Sequence, residues 1–178
     1  MRLLFVCTGN ICRSPTAEGV FRKLIAKSGF SSHWEVDSAG TLGFHAGDPP
    51  DPRSIAHAAR REIDLTMLRA RKVAPEDFER FDYVIAMDEN NVQNLKAICP
   101  DHLSNKIDLL LNYADEHKRR EVPDPYHGEA KDFELVLDLI ESGCQGLVNH
   151  LSESCHSVKC FLNEIRQLCI LVSLLMES

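Results

Sequence analysis

The sequence predicts an α/β protein in which a four-stranded parallel sheet carries helices on both faces, a flavodoxin-like three-layer arrangement. Three observations carry that expectation. Four short runs, "RLLFVC", "WEVDSAG", "DYVIAMD" and "KIDLLL", read as strands, and helical patterns separate them. The first run is apolar without alternation, as in a strand buried on both faces. Strands alternating with helices, joined by right-handed crossovers, build a parallel sheet.

The elements follow in order. After "RLLFVC", the stretch "SPTAEGVFRKLIAK" reads as a helix. Ser14 is its expected N-cap and Pro15 suits its first turn. Val20, Phe21, Leu24 and Ile25 form its apolar stripe. "WEVDSAG" is a strand ending in a turn of small residues. "GDPPDPR" is a proline-stiffened loop leading into a helix, "RSIAHAARREI". "DYVIAMD" precedes a helix, "ENNVQNLKAIC". After "KIDLLL" comes a second stiff loop, "EVPDPYHG". The long "DFELVLDLIESGCQGLVNHL" is an amphipathic helix with Phe133, Val136, Leu139, Ile140, Cys144, Leu147 and Leu151 on one side. Residues 1–151 are expected to form one domain, and 152–178 an apolar helical extension.

Bulk properties narrow the function. The 178 residues carry a net charge of −7, from 27 acidic and 20 basic side chains. A global attraction to nucleic acid is excluded, so any anion site must be a local construction. No run reaches the ~20 apolar residues that span a bilayer. The seven cysteines are an odd number, and no secretory cleavage pattern follows the first residues. Free thiols in a reducing cytoplasm are the expectation.

Chemistry concentrates in "CTGNICRSP", residues 7 to 15. It lies on a turn from the carboxyl end of a strand to the start of a helix. Unpaired backbone N–H groups and the helix dipole make an anion seat there. Gly9 and Asn10 tolerate the dihedrals that turn amides inward. A helix start and a nearby guanidinium favour a thiolate, so Cys7 is the expected nucleophile. Arg13 offers a planar fork for two oxygens of a tetrahedral anion. Ser14 can donate its hydroxyl to the sulfur. A nucleotide-binding P-loop would need Gly-Lys-Ser/Thr, and this stretch has no Lys. Thiolate attack on a phosphate ester also needs an acid for the leaving oxygen. Asp124, between Pro123 and Pro125, is the candidate, and Tyr126 beside it is suited to stack on an aromatic group.

"VCTGNICRSPTAE" resembles the signature of the low-molecular-weight protein tyrosine phosphatases. "VDSAGT", "GDPPDPR", "RAR", "EDFERFDYVIAMD" and "VPDPYHG" resemble further blocks of that family, in its order. The resemblance implies the phosphotyrosine protein phosphatase I-like fold and hydrolysis of phosphotyrosine esters through a phosphocysteine on Cys7. Arg13 would bind the phosphoryl group. Asp124 would act as general acid and then as base. Thr8, Gly9, Asn10, Ile11, Cys12 and Ser14 complete the implied substrate-binding loop, and Tyr126 one wall of the cleft.

Phe44, with His45 beside it in "GFHAG", is implied for the opposite wall; a place in the core is the alternative for Phe44. Asp48 and Asp51 are read as helix caps or cleft rim. Cys12 is either a reversible disulfide partner of Cys7 or a buried structural thiol. The family's loop-holding network matches Asn10, Ser14 and Ser38, but Leu68 stands where family members often have His.

Two other chemistries and one non-enzymatic reading compete. Arsenate reduction needs a cysteine relay, and Cys99 and Cys144 are not closely spaced. Phosphoarginine-specific members carry Thr where this chain has Ile11, whose apolar bulk suits an aromatic ester. A pseudo-enzyme that only binds phosphopeptides would lack Cys7, Arg13 or Asp124. Cys155, His156 and Cys160 offer no fourth metal ligand, so neither metal nor cofactor is implied. The expected partners are phosphotyrosine proteins or small aryl phosphates, with inorganic phosphate as product. The apolar stripe of the extension makes it the candidate for self-association.

Overall fold

A computed structural model describes residues 1–27, 34–114 and 119–152. The extension read above, including Cys155, His156 and Cys160, lies outside the described residues except for its first position. Four strands form one parallel sheet: β1 (Arg2–Cys7), β2 (Glu35–Gly40), β3 (Tyr83–Ala86) and β4 (Ile107–Leu109). Their order is β2-β1-β3-β4. The register pairs Cys7 with Gly40 and Val6 with Ala86, so three strand ends meet at one edge. The chain places β2 on one side of β1 and β3 on the other. That reversal opens a crevice beyond the carboxyl end of β1, where open parallel sheets bind ligands.

β1 is apolar without alternation because both of its faces are covered. Leu3, Phe5 and Cys7 point into one core, with Val20 and Phe21 of α1 (Arg13–Lys27). Ala58 of α2 (Pro52–Arg60) joins them, as does the stripe from Val136 to Leu151 on α5, the helical residues 130–152. Leu4 and Val6 point into the other core, with Phe78 of α3 (Pro75–Arg80) and Val92 and Leu95 of α4 (Glu89–Lys96).

Several boundaries differ from the sequence reading. Helix α1 starts at Arg13, so Ser14 lies inside it and is not an N-cap; its hydroxyl is engaged by the loop before the helix. Helix α2 stops at Arg60, and Glu62 then takes a left-handed conformation at φ 56°. Only Ile107–Leu109 of "KIDLLL" is strand, and Leu110–Tyr113 wind into a tight 3₁₀ turn. Helix α3 was not anticipated; it is one and a half turns long, too short for an apolar period to show. Asp51 caps α2, its carboxylate accepting from the Arg53 N–H at 2.8 Å. Among the described residues no helix is long and apolar enough to cross a membrane.

Candidate active site

The loop from Cys7 to Arg13 wraps over the carboxyl end of β1. Asn10 makes the wrap possible by adopting φ 56°, a region open mainly to Gly and Asn. Its side chain holds the loop together. Oδ1 accepts from the Arg71 N–H at 2.8 Å, and Nδ2 donates to Ser14 Oγ at 2.9 Å and Ser38 Oγ at 3.0 Å. The loop lies so close to the end of β2 that a Cβ on Gly40 would sit 2.8 Å from the Thr8 carbonyl oxygen.

The sulfur of Cys7 is buried at the floor. The Asn10 N–H donates to it at 3.3 Å and the Ser14 hydroxyl at 3.0 Å. Two donors therefore converge on one sulfur.

Arg13 is 2% exposed. Burial works against its charge, but Cys7, Asp124 and Asp88 outweigh it and hold the guanidinium ionised. Nη1 is taken up by Asp88 Oδ2 at 2.5 Å and by the Val122 carbonyl at 3.1 Å. Nη2 reaches Asp124 Oδ2 at 2.6 Å and Thr8 Oγ1 at 3.3 Å. Nε is buried with no protein partner among the described residues. The Nε–Nη2 edge is therefore the one available to a pair of anion oxygens, and only the exposed Asp124 competes for it strongly.

A cleft of about 330 Å³ opens above this floor. Cys7, Thr8, Gly9, Ile11, Cys12 and Arg13 form its base. Leu42, Phe44 and His45 line one wall; Asp124, Tyr126 and His127 line the other. Phe44 is 84% exposed, which removes the core alternative for it. The Tyr126 ring is also partly exposed, its backbone carbonyl accepting from Arg53 Nη2 at 3.0 Å. Asp124 Oδ1 accepts from the Tyr126 N–H at 3.1 Å, which orients the carboxylate at the cleft mouth. Asp48 does not line the cleft; its carboxylate faces His45 Nδ1 at 3.2 Å.

Cys12 shares the loop but differs chemically from Cys7. Burial, then the Asp51 charge, pushes its thiol up to about 12, so it stays protonated near neutrality. Cys99 and Cys144 are both buried free thiols in different cores. Leu68 packs at the margin of the first core.

The structure adds residues that the sequence reading assigned no role. Asp88, the N-cap of α4, accepts from the Asn91 N–H at 2.7 Å with Oδ1 and anchors Arg13 with Oδ2. Its signal was visible: an acidic residue at the end of the strand next to β1. Glu18, buried within α1, accepts from Ser38 Oγ at 2.7 Å. An isolated acid on an otherwise covered helix face was the clue to it.

Comparison with known proteins places the chain in a family. The family described as low molecular weight phosphotyrosine protein phosphatase matches residues 2–157. The human low molecular weight phosphotyrosine protein phosphatase is 43% identical over 148 residues, 82% of this chain and 92% of that protein. The Bacillus subtilis low molecular weight protein-tyrosine-phosphatase YfkJ is 41% identical over 146 residues, again 82% and 92%. A crystal structure of a protein tyrosine phosphatase from Entamoeba histolytica superposes with a TM-score of 0.84 at 40% identity, covering 86% of this chain and 98% of that one.

Proposed function

The chain belongs to the low molecular weight phosphotyrosine protein phosphatase family and is a protein-tyrosine phosphatase; from its site we propose a two-step hydrolysis through a phosphocysteine on Cys7. The sulfur of Cys7 attacks phosphorus in line with the ester oxygen. The P–O bond breaks, and Asp124 gives its proton to the departing phenolate. The Nε–Nη2 edge of Arg13 and the inward loop amides hold the phosphoryl oxygens as charge spreads over them. Once those oxygens occupy Arg13, Asp124 is released from it to meet the leaving oxygen.

In the second step the Asp124 carboxylate takes a proton from water, whose oxygen attacks phosphorus. The P–S bond breaks and inorganic phosphate leaves. Ser14 Oγ, 3.0 Å from the sulfur, stabilises the departing thiolate. Phe44 and Tyr126 clasp the aromatic ring of the substrate from opposite walls.

The observation that carries this reading is the buried Arg13 guanidinium, its Nη1 anchored by Asp88 and the Val122 carbonyl and its Nε without a protein partner among the described residues, in the same cleft as Cys7. Ile11 favours phosphotyrosine over phosphoarginine, because its side chain lines the base of the cleft and offers no hydroxyl to a guanidino group. Turnover of p-nitrophenyl phosphate, phosphotyrosine and phosphoarginine tests both points. Hydrolysis of the two aryl esters, lost in Cys7→Ser, is expected. Faster turnover of phosphoarginine would overturn the substrate assignment, and activity retained in Cys7→Ser would overturn the nucleophile.

A further inference from the structure

The Glu18 carboxylate is 2% exposed, and nothing in the reaction above uses it. Its position is specific. Oε1 accepts from Arg22 Nε at 2.9 Å and Nη2 at 2.8 Å, while Oε2 accepts from Ser38 Oγ at 2.7 Å. Arg22 also donates to the Val36 carbonyl, which ties it to the strand that carries Ser38. A carboxylate can only accept, so the single proton of Ser38 is committed to Glu18. The Ser38 oxygen must then accept, and Asn10 Nδ2 is its donor at 3.0 Å.

The orientation propagates. Asn10 Oδ1 is fixed by the Arg71 N–H, so both Nδ2 protons go forward, one to Ser38 and one to Ser14. Ser14 is thereby an acceptor from Asn10. Its own proton is left for Cys7 Sγ at 3.0 Å or the Ala39 carbonyl at 3.2 Å. From Glu18 to Ser14 each hydrogen bond has one permitted direction, set at Ser38 by the Glu18 carboxylate and at Asn10 by the Arg71 N–H together.

We propose that Glu18 is a positioning residue for the nucleophile: held by Arg22, it fixes the donor–acceptor sense of the chain Ser38–Asn10–Ser14 so that a hydroxyl proton is available to the Cys7 sulfur. The proposal rests on the nucleophile assignment above but is tested apart from turnover.

Glu18→Gln is nearly isosteric. Its amide oxygen is drawn to Arg22, which turns an N–H donor toward Ser38 and removes the acceptor of the Ser38 proton, so the hydroxyl must re-aim that proton within the Asn10 network. The readout is the rate of alkylation of Cys7 by iodoacetate against pH, followed by mass spectrometry on the full chain. This needs no substrate, so it stands even if the protein hydrolyses nothing. The pH at which the rate is half-maximal is expected to rise, leaving alkylation at pH 6 slower by roughly threefold to tenfold, the scale of one oriented hydrogen bond. Ser38→Ala should reproduce that change, and Glu18→Gln should add nothing in the Ser38→Ala background. An unchanged profile in the single variants overturns the proposal. So does an additive effect in the double variant, which would mean that Glu18 acts through its field or through packing. If Glu18→Gln does not fold, Ser38→Ala alone decides, and an unshifted profile there overturns the inference.

Discussion

Arg13 shows how one candidate residue is held in place by others far away in sequence. Its fork could not stay aimed at the cleft if both edges were free, because an arginine side chain has many rotamers. Asp88, 75 positions away, removes that freedom by binding Nη1. Asp88→Asn should keep the α4 cap but lose the charged bond to the guanidinium. We expect kcat/KM for p-nitrophenyl phosphate to fall by about a hundredfold, the usual consequence of misplacing a catalytic group by ~1 Å. Steady-state kinetics with a thermal melt check this; wild-type kinetics in a folded variant would show that Asp88 does not hold Arg13. Cys7, Arg13 and Ser14 were legible in the sequence because their spacing on a strand-to-helix turn is local. Asp88 and Glu18 offered only the signal of an acid in a covered place, because the groups they hold, Arg13 and Ser38, lie on other elements. The exposure of Phe44 was equally beyond the sequence, since an aromatic in a loop fits a wall or a core.

Among the elements, α1 departs most instructively from expectation. A Ser-Pro start reads as a cap followed by a first turn, yet the helix begins one residue earlier, at Arg13. Loop contacts with Asn10 and Cys7 compete for the Ser14 hydroxyl and win, because leaving those buried groups unpaired costs more than a cap contributes. The end of α2 shows a different tension. Glu62 adopts φ 56° to turn the chain, with its side chain 89% exposed and, among the described residues, a 3.4 Å contact with Lys23 to compensate. Glu62→Gly should therefore stabilise the protein by about 1 kcal/mol, the left-handed penalty removed less the extra freedom of the unfolded chain. Urea unfolding at neutral pH measures this; destabilisation by the substitution would show that the strain is offset by a contact of the side chain. The type and order of the long elements were readable from their apolar periods. Their ends were not, because caps and turns respond to neighbours in space.

For the whole molecule, the parallel sheet explains why the reacting groups converge. The order β2-β1-β3-β4 brings the ends of β1, β2 and β3 to one edge. From there β1 delivers the Cys7 loop, β2 delivers Ser38, β3 delivers Asp88, and the loop after β4 delivers Asp124. Two apolar layers fix that edge from both sides. The fold class followed from alternation of strand and helix, whereas the convergence follows only from strand order, which no local pattern records. The central claim is that this edge makes Cys7 a phosphoryl acceptor. Its most direct measurement uses Asp124→Ala, which retains the nucleophile but lacks the base for the second step. Acid quenching during turnover of p-nitrophenyl phosphate, followed by mass spectrometry, should find one phosphoryl group on Cys7. Steady hydrolysis with no covalent phosphate on that sulfur, or phosphate on another residue, would contradict the account.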